Sequence, residues 1–487
     1  GGSYFASGGL DSQFRLLAGA DVAIENLTLR DSVNYGMIIE ATGGTFTNLT
    51  VEGNLRGGIR GDQGAMVEIT ASRFAKNGQG VAARDQAQLT LRGNVFQENT
   101  DALFTYGDES RIRFGNNQFL GNNRTGTVNF LTAASSEPGN VVSVDQAGLE
   151  ISSGELKESG ALHALLGGYY EIHRSRTIAP TGSLQIRPGT FIALEGGDAG
   201  IVVSGFLGIN GLANQPVQLA APPTVSSPTQ RSVYTGILIQ DEGRGSIRHA
   251  VIRNAGIGRA GVEARGLADV RLENCRFEYN QTALRVLQSA RMTTAYSRFL
   301  NNGTAVETNG QAGMDAAVQF SHIVGNQAGV NNLSPSINVN ATFNWWGNAN
   351  GPSGSGPGNG DPVSQGVLFD PWFTSAEQVP GQVLVAREVE LHTPYSETVE
   401  KYGLKLYKFH AQAGRNLLCQ LTPADPAGPY SIFAAWGYES SPARFDKRSM
   451  ARHLRPAYEL LMTPTSEGDY YFLVFAIGLA GSQETYQ

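Results

Sequence analysis

Leu29-Arg30-Asp31-Ser32, Val51-Glu52-Gly53-Asn54, Phe74-Ala75-Lys76-Asn77, Phe96-Gln97-Glu98-Asn99 and Phe119-Leu120-Gly121-Asn122 say nearly the same thing five times. Their first residues step by 22, 23, 22 and 23 positions. Each unit leads into a short apolar run, a small or polar turn, and a second run such as Gln88-Leu89-Thr90-Leu91-Arg92 or Arg111-Ile112-Arg113-Phe114. Apolar and polar residues alternate strictly there, which is the period of a strand with one face buried. A repeat in the low twenties made of strands and turns means a solenoid. About three strands make one coil, and each strand pairs with its equivalent one coil above. The apolar residue opening each unit stacks inside. The Asn three positions later falls at the bend, where its amide donates and accepts along the stack.

Working outward, the pattern fades after Phe130, and Ala133 to Asn140 reads as a connector. Leu156 to Leu166 reads as a short helix capping the next coil. A second solenoid is expected from about Gly168, with strand, Pro-Gly turn and strand in Ser183 to Thr190. The segment Ala221 to Gln230, with its three prolines, is expected to bulge from the surface. The units then return at Ile252, Phe277-Glu278-Tyr279-Asn280, Phe299-Leu300-Asn301-Asn302 and Ile323-Val324-Gly325-Asn326, stepping by 25, 22 and 24. The asparagines of this ladder are Asn54, Asn77, Asn99, Asn122, Asn280, Asn302 and Asn326.

Charged residues make up only 16% of the 487, and the net charge is −7. That offers no basic patch for nucleic acid. Polarity is carried by Gly, Asn, Ser and Thr, as suits an extracellular β-rich protein. Cys275 and Cys419 fall in different segments and read as buried thiols rather than a disulfide. No 18-residue apolar run is present, so no membrane span is expected. The chain opens mid-pattern at Gly1 and closes on what reads as the start of a strand, so it is expected to be a piece of a longer polypeptide.

These units resemble the right-handed parallel β-helix of the pectate-lyase-like superfamily, in particular its repeat-rich branch in bacterial and archaeal surface proteins. The segment Asn344-Trp345-Trp346-Gly347-Asn348 through Phe369-Asp370-Pro371-Trp372 resembles the terminal signature of such helices. In physical terms Trp345, Trp346 and Trp372 cover the last apolar coil, because an open solenoid end is an exposed sheet edge. From about Gln382 the language changes to Lys405-Leu406-Tyr407-Lys408-Phe409, Leu417-Leu418-Cys419-Gln420-Leu421 and Gly468-Asp469-Tyr470-Tyr471-Phe472-Leu473-Val474-Phe475. Several strong strands in roughly 100 residues suggest a small β-sandwich. It is similar to the jelly-roll modules of the pre-peptidase C-terminal type, although Tyr430 to Gly437 lacks that family's acidic strand. The expected class is therefore all-β: a first β-helix over 1–147, a second with its Trp/Gly/Pro cap over 148–380, and a sandwich over 381–487.

The resemblance implies that some members are polysaccharide lyases, hydrolases or epimerases. Such chemistry needs carboxylates gathered on one sheet face, or an Arg or Lys base beside bound Ca2+. The best candidate is an acidic column, Glu40, Asp62, Asp85 and Asp108, stepping by 22, 23 and 23, with Arg60, Arg84 and Tyr106 beside it. Stacked carboxylates ~5 Å apart repel unless a cation or an Arg neutralises them. The column therefore reads as a Ca2+ site or an anionic-sugar face, against the plain alternative of a solvated edge of turn aspartates. The seven histidines show no ligand spacing, and no nucleophile motif is present. The run Arg444, Lys447, Arg448, Arg452, Arg455 reads as a solvated face, and the Asn-x-Thr sequons at Asn26, Asn48 and Asn280 as repeat residues.

The expectation is a non-enzymatic module of a secreted or cell-surface protein, a stiff rod or adhesin able to self-associate into a fibre or sheath or to contact other surface proteins. The alternative is a carbohydrate-active enzyme or glycan-binding protein for acidic polysaccharides. Converging basic and acidic groups on the Glu40–Asp108 face discriminate the second from the first.

Overall fold

A computed structural model of the chain describes residues 4–5, 12–19, 21–40, 43–143, 147–222, 229–379, 386–390, 392–400, 403–422, 430–436, 440–442, 445–450, 457–463, 466–476 and 483–486. It is an all-β parallel solenoid of about 16 turns with nearly no helix. The chain divides into two compact units. One holds Gly1–Val270, Cys275–Ala290 and Asn301–Glu307; the other holds Arg271–Asn274, Arg291–Leu300 and Thr308–Gln487.

In the first unit, each early coil has three strands. Arg73–Ala75, Gln79–Ala83 and Gln88–Arg92 pair in parallel with Thr50–Glu52, Gly57–Asp62 and Met66–Thr70 below, and with Val95–Gln97, Asp101–Thr105 and Arg111–Gly115 above. Phe74, Phe96 and Phe119 stack inside at centroid spacings of 5.0 and 5.2 Å, nearly coplanar and fully buried. Burying each such ring is worth about 2 kcal/mol before any ring–ring term. At the bend that follows, the residue before each Asn takes left-handed backbone, at Gly53, Lys76, Glu98 and Gly121. This turns the Asn inward. Asn54 donates its backbone N–H and its Nδ2 to Asn77 Oδ1 (3.1 and 2.9 Å), and Asn77 and Asn99 repeat this toward Asn99 and Asn122. A second ladder, not read from the sequence, runs through Asn94, Asn117 and Asn140 at another corner. Further along the unit, Asn280 donates to Asn302 in the same way.

The expected boundary at 147 is not a break in pairing. Arg124–Asn129 pairs with Ala147–Ser153, and that strand pairs with Tyr170–Ile172. What changes there is which sheets make the coil. The sheet carrying Phe74, Phe96 and Phe119 ends at Val141–Val142 and a single bridge to Leu166. A new sheet begins at Glu155–Leu156, and later coils run from the middle sheet into it. The expected helix over Leu156 to Leu166 is instead strand at Glu155–Leu156 and Ser159–Leu162, with Leu156 and Leu162 buried. A four-residue helix, Phe130–Ala133, falls inside the sequence just before this exchange, with Asn129 capping its start through Thr132 N–H. Residues 223–228 of the proline-rich segment lie outside the described residues.

In the second unit, Arg291–Ala295 pairs in parallel with Asp315–Gln319, and Arg298–Leu300 with His322–Val324. Trp346 is fully buried, and its ring lies against Gly329. Trp345 pairs by its backbone with Ser321 and Ile323, and Trp372 lies over Gly351 with its Nε1 donating to Ala349 O at 3.1 Å. Asp361 occupies an asparagine's place: it accepts from Asn326 N (2.8 Å), Asn326 Nδ2 (2.7 Å) and Gly325 N (2.9 Å). The strands beyond 403 are antiparallel, with Gly468–Ala476 between Leu404–Ala411 and Tyr430–Trp436, and Leu417–Leu421 against Tyr458–Met462. Phe475 meets Phe320 and Phe343 edge-on at 4.7 and 4.9 Å. Arg444, Arg452 and Arg455 of the basic run lie outside the described residues, while Lys447 donates to Leu461 O and Arg448 lies over Phe445. Both cysteines are free thiols.

Candidate functional site

The middle sheet of the early coils presents three outward columns. Gly58 and Gly80 face inward, since a Cβ there would meet Val51 and Phe74, or Phe96. Ile59 and Val81, the next residues, are fully buried too. Two consecutive inward positions split the outward residues into neighbouring columns. The first runs Tyr35, Gly57, Gln79, Asp101, Arg124; the second runs Ile38, Arg60, Ala82, Phe104, Thr127, Glu150. The third begins with Glu40 opposite Asp62.

Tyr35 lies flat over Gly57, where a Cβ would come within 2.4 Å of its ring. Its hydroxyl donates to Gln79 Oε1 (2.7 Å) and meets the Tyr106 hydroxyl at 3.2 Å, while Gln79 Nε2 donates to Tyr106 (3.1 Å). Burial, and then Tyr106, push the Tyr35 phenol well above its ordinary pKa, so it stays a neutral donor. Arg60 sits 4.6 Å from the Tyr35 ring centroid and grips Asp62 with two parallel bonds, Nε to Oδ1 (2.9 Å) and Nη2 to Oδ2 (2.7 Å). Burial works against the Arg60 charge, but Asp62 and Tyr35 together hold its pKa above the usual value. Arg56 leans on the same ring at 5.6 Å, and Arg15 pairs with Glu40 at 2.5 Å. Ile38, Ala82 and half-buried Phe104 and Tyr106 complete an apolar strip. Phe104 and Tyr106 are tilted at 4.7 Å.

The structure brings together Glu40, Asp62, Arg60 and Tyr106, but not the four-membered acidic column. Registering Gly61 with Ala83 carries Asp62 onto Arg84, and Arg84 onto Tyr106, so the third column reads Glu40, Asp62, Arg84, Tyr106. Asp85 is one residue out of step, in left-handed backbone at the turn and 3.2 Å from Arg84. Asp108 lies in the next turn and accepts from Ser153 Oγ at 2.6 Å. One residue of slip moves a side chain off its column. Among the described residues, no three His, Cys, Asp or Glu side chains gather into a group that could hold a metal ion.

The same face holds a group that the sequence reading missed. Thr127 Oγ1 lies 3.3 Å from Asp101 Oδ1, and Arg124 Nη1 donates to Glu150 Oε2 at 2.8 Å and reaches Thr127 Oγ1 at 3.5 Å. Burial raises the Asp101 carboxyl above its usual range and Glu150 adds to this, while the Thr127 bond and the Arg124 charge oppose it. The available signal was register, with Asp101 falling 22 residues after Gln79, itself 22 after Gly57 and 44 after Tyr35.

The family described as right handed beta helix region matches residues 14–156 and 224–345. No curated protein matches the sequence. Among solved structures, the enzymatically active domain of tailspike protein 4 of bacteriophage CBA120 is 9% identical, with 92% of this chain and 64% of that one covered and a TM-score of 0.19. The present chain thus spans just under two thirds of that structure. The tailspike of Acinetobacter baumannii bacteriophage Fri1, a capsular polysaccharide depolymerase, is 8% identical over 96% of this chain and 81% of that one, with a TM-score of 0.22. A mutant tailspike of E. coli bacteriophage HK620, in complex with pentasaccharide, is 10% identical over 98% and 85%, with a TM-score of 0.24. The expectation of a chain without enzymatic activity is corrected here. Two of these neighbours are described as an enzymatically active domain and as a capsular polysaccharide depolymerase. Likeness at such TM-scores carries no argument for a particular activity, which has to come from this chain's own residues.

Proposed function

The chain belongs to the right-handed β-helix family, and from that premise we propose that the outer face between Tyr35 and Glu150 engages an extended acidic polysaccharide. The observation that supports this is the convergence on one face of half-buried Phe104 and Tyr106 with Arg56, Arg60, Gln79 and Asp62. A sugar ring has an apolar C–H face and a rim of hydroxyls. Aromatic rings take the first, while guanidinium, amide and carboxylate groups take the second. The column from Ile38 to Glu150 rises five coils, ~24 Å at ~4.8 Å each, which suits a chain of sugars rather than one. The Tyr35–Gln79–Tyr106 triangle and the Arg60–Asp62 fork fix polar and aromatic groups in place on this one face, which favours a polysaccharide over the rod, adhesin or fibre reading. Such a polymer places the chain outside the cell. In the same proposal we read the C-terminal antiparallel strands as an appended jelly-roll-like sandwich, and the helix as kin to the pectate-lyase-like superfamily.

The test is affinity electrophoresis against polygalacturonate, alginate, hyaluronan and chondroitin sulfate, with neutral dextran as control. Arg56→Ala/Arg84→Ala changes two exposed guanidinium groups and should weaken binding about tenfold or more, on the order of 1.4 kcal/mol, with unaltered circular dichroism. Binding to none of the acidic polymers, or binding indifferent to this variant, refutes the reading.

A further inference from the structure

We propose that Arg231, Arg253 and Arg276, on the outer side of the later coils of the first unit, form a binding site for a tetrahedral oxyanion, phosphate or sulfate. The site lies on other coils than the face from Tyr35 to Glu150 and does not rest on the polysaccharide reading. It is built on Glu278. That side chain points outward from the strand Arg276–Glu278, since Phe277 between them points in, yet Glu278 is only 5% exposed. Two arginines cover it. Arg253 is its register partner one coil before, with Nε 2.8 Å from Glu278 Oε2. Arg276, two residues earlier on the same strand, donates Nε to Glu278 Oε1 at 2.6 Å and sets Nη2 against the same oxygen. Two guanidinium groups are thus drawn to the two oxygens of one carboxylate, while 37% and 47% of their side chains stay exposed.

Arg231 adds a third. Asn254, Tyr279 and Asn301 are corner residues of three successive coils, all in left-handed backbone, and the first two directly follow Arg253 and Glu278. The segment carrying Arg231 runs beside the first corner, where Val233 N–H donates to Asn254 O at 2.7 Å. Arg231 Nη2 donates to Asn301 O, at the third corner, at 2.8 Å. Its side chain therefore crosses the coil that carries Glu278.

Charge balance sets this spot apart. Among the described residues, no carboxylate other than Glu278 pairs with any of the three arginines, so three positive charges stand against one negative on a chain of net charge −7. Elsewhere in the unit the ratio runs the other way: Arg92 holds both Glu68 and Glu137, and Arg285 holds both Glu263 and Glu307. Like charges gathered in a fold are costly unless an opposite charge answers them. A guanidinium carries five N–H donors in a fixed fork. Arg276 spends two of these on Glu278 and Arg231 one on Asn301, while the Arg253 Nε–H is aligned with no acceptor. Forks of this kind match the paired oxygens of phosphate and sulfate, whose two negative charges equal the positive charge left over. A carboxylate would answer only half of it. Glu278 is the positioning residue, the acceptor that holds Arg253 and Arg276 side by side.

The full chain is titrated in a calorimeter with sodium phosphate, sodium sulfate, glycerol phosphate and sodium acetate, all at one ionic strength set with sodium chloride. Saturable binding of phosphate and sulfate is expected, about tenfold or more tighter than acetate. Arg231→Gln and Arg276→Gln should each weaken phosphate about tenfold, whereas Arg73→Gln, which removes a guanidinium paired with Glu52, should leave it within about twofold. Arg231→Gln keeps both partners of Glu278, so it tests the site even where loss of Arg276 disturbs the fold. Glu278→Gln raises the local positive charge, yet without the orienting carboxylate it should narrow the preference for phosphate over acetate. Glycerol phosphate bound as well as inorganic phosphate supports a site for an oxyanion carried on a larger molecule, and binding of the inorganic ions alone supports a site for the free ion. No saturable binding of phosphate or sulfate, acetate bound as tightly, or binding indifferent to Arg231→Gln and Arg276→Gln overturns the inference. A wider preference in Glu278→Gln overturns the positioning role of Glu278. The polysaccharide reading is decided separately, by its own electrophoresis.

Discussion

Asn99→Ala isolates what the ladder contributes. Asn99 is buried, and its side chain makes four hydrogen bonds. It accepts from Asn77 N and Asn77 Nδ2, both at 3.0 Å, and donates to Phe74 O at 3.0 Å and to Asn122 Oδ1 at 2.9 Å. Alanine removes all four. Asn122 Oδ1 keeps the backbone N–H of residue 99, and Asn77 Nδ2 keeps Val51 O, so the severe loss falls on the Asn77 N–H. At ~1 kcal/mol net per bond, and up to ~3 for a buried donor left without water, the variant should lose about 4 kcal/mol. A solenoid unfolds by neighbouring coils rather than strictly as one body, so a single global midpoint is a poor readout. The assay is amide hydrogen exchange over residues 73–124, with the exposed Thr100→Ala change as reference, expected within ~0.5 kcal/mol of the parent. Asn99→Asp sharpens the test, because a carboxylate can accept from Asn77 but cannot donate to Phe74 O or Asn122 Oδ1. It should be tolerated better at low pH, where one oxygen carries a proton, than at neutral pH. Protection in Asn99→Ala equal to that in Thr100→Ala would refute the ladder as a source of stability.

Asp101→Asn should raise thermal stability at neutral pH. Burial holds the Asp101 carboxyl above its unfolded value, so its favourable contribution is present below ~pH 3.9 and lost as pH rises through the folded pKa; the gain on substitution should therefore shrink on acidification in a melting-temperature series. Phe475→Ala empties a site bounded edge-on by Phe320 and Phe343, and should cost ~3–5 kcal/mol in the second unit, read by near-ultraviolet circular dichroism during denaturant unfolding. Gly80→Ala would set a Cβ 2.6 Å from Ala102 O and 2.8 Å from the Phe96 ring, so a loss of ~1–3 kcal/mol is expected by the same exchange experiment; an unchanged variant would mean that the coil is looser there than its packing states.

The solenoid was legible because its signal repeats: five apolar residues at 22- or 23-residue steps, four of them followed by a turn asparagine, leave little else for the chain to do. The coil exchange between Arg124 and Ile172 was not legible, and for a definite reason. The residues that carry it are strand-like in both arrangements, and only their partners change, so a fading of Phe-x-x-Asn looked like a chain end between two solenoids. Leu156 to Leu166 has apolar residues at spacings that fit a helix as well as a strand. The short strands win because Leu156 and Leu162 fill the corner where the new sheet begins.

The candidate site shows the complementary weakness of periodic reading. Counting 23 residues from Asp62 reaches Asp85, yet the register continues to Arg84, 22 residues on, and Asp85 falls on the left-handed turn position that Gln63 holds one coil earlier. Inward positions must repeat, since each ring or amide stacks on its like, and that constraint is what the sequence displays. Outward positions are under no such demand, and along the first column they read Tyr35, Gly57, Gln79, Asp101, Arg124, five different chemistries in five coils. Gly57 is there because Tyr35 needs its space, and Gln79 because the two tyrosine hydroxyls need a partner. Residues on a rod's outer face that are fitted to one another rather than to the repeat answer to something outside the coil. The place to look for function in such a chain is therefore where the columns stop repeating while the coils do not.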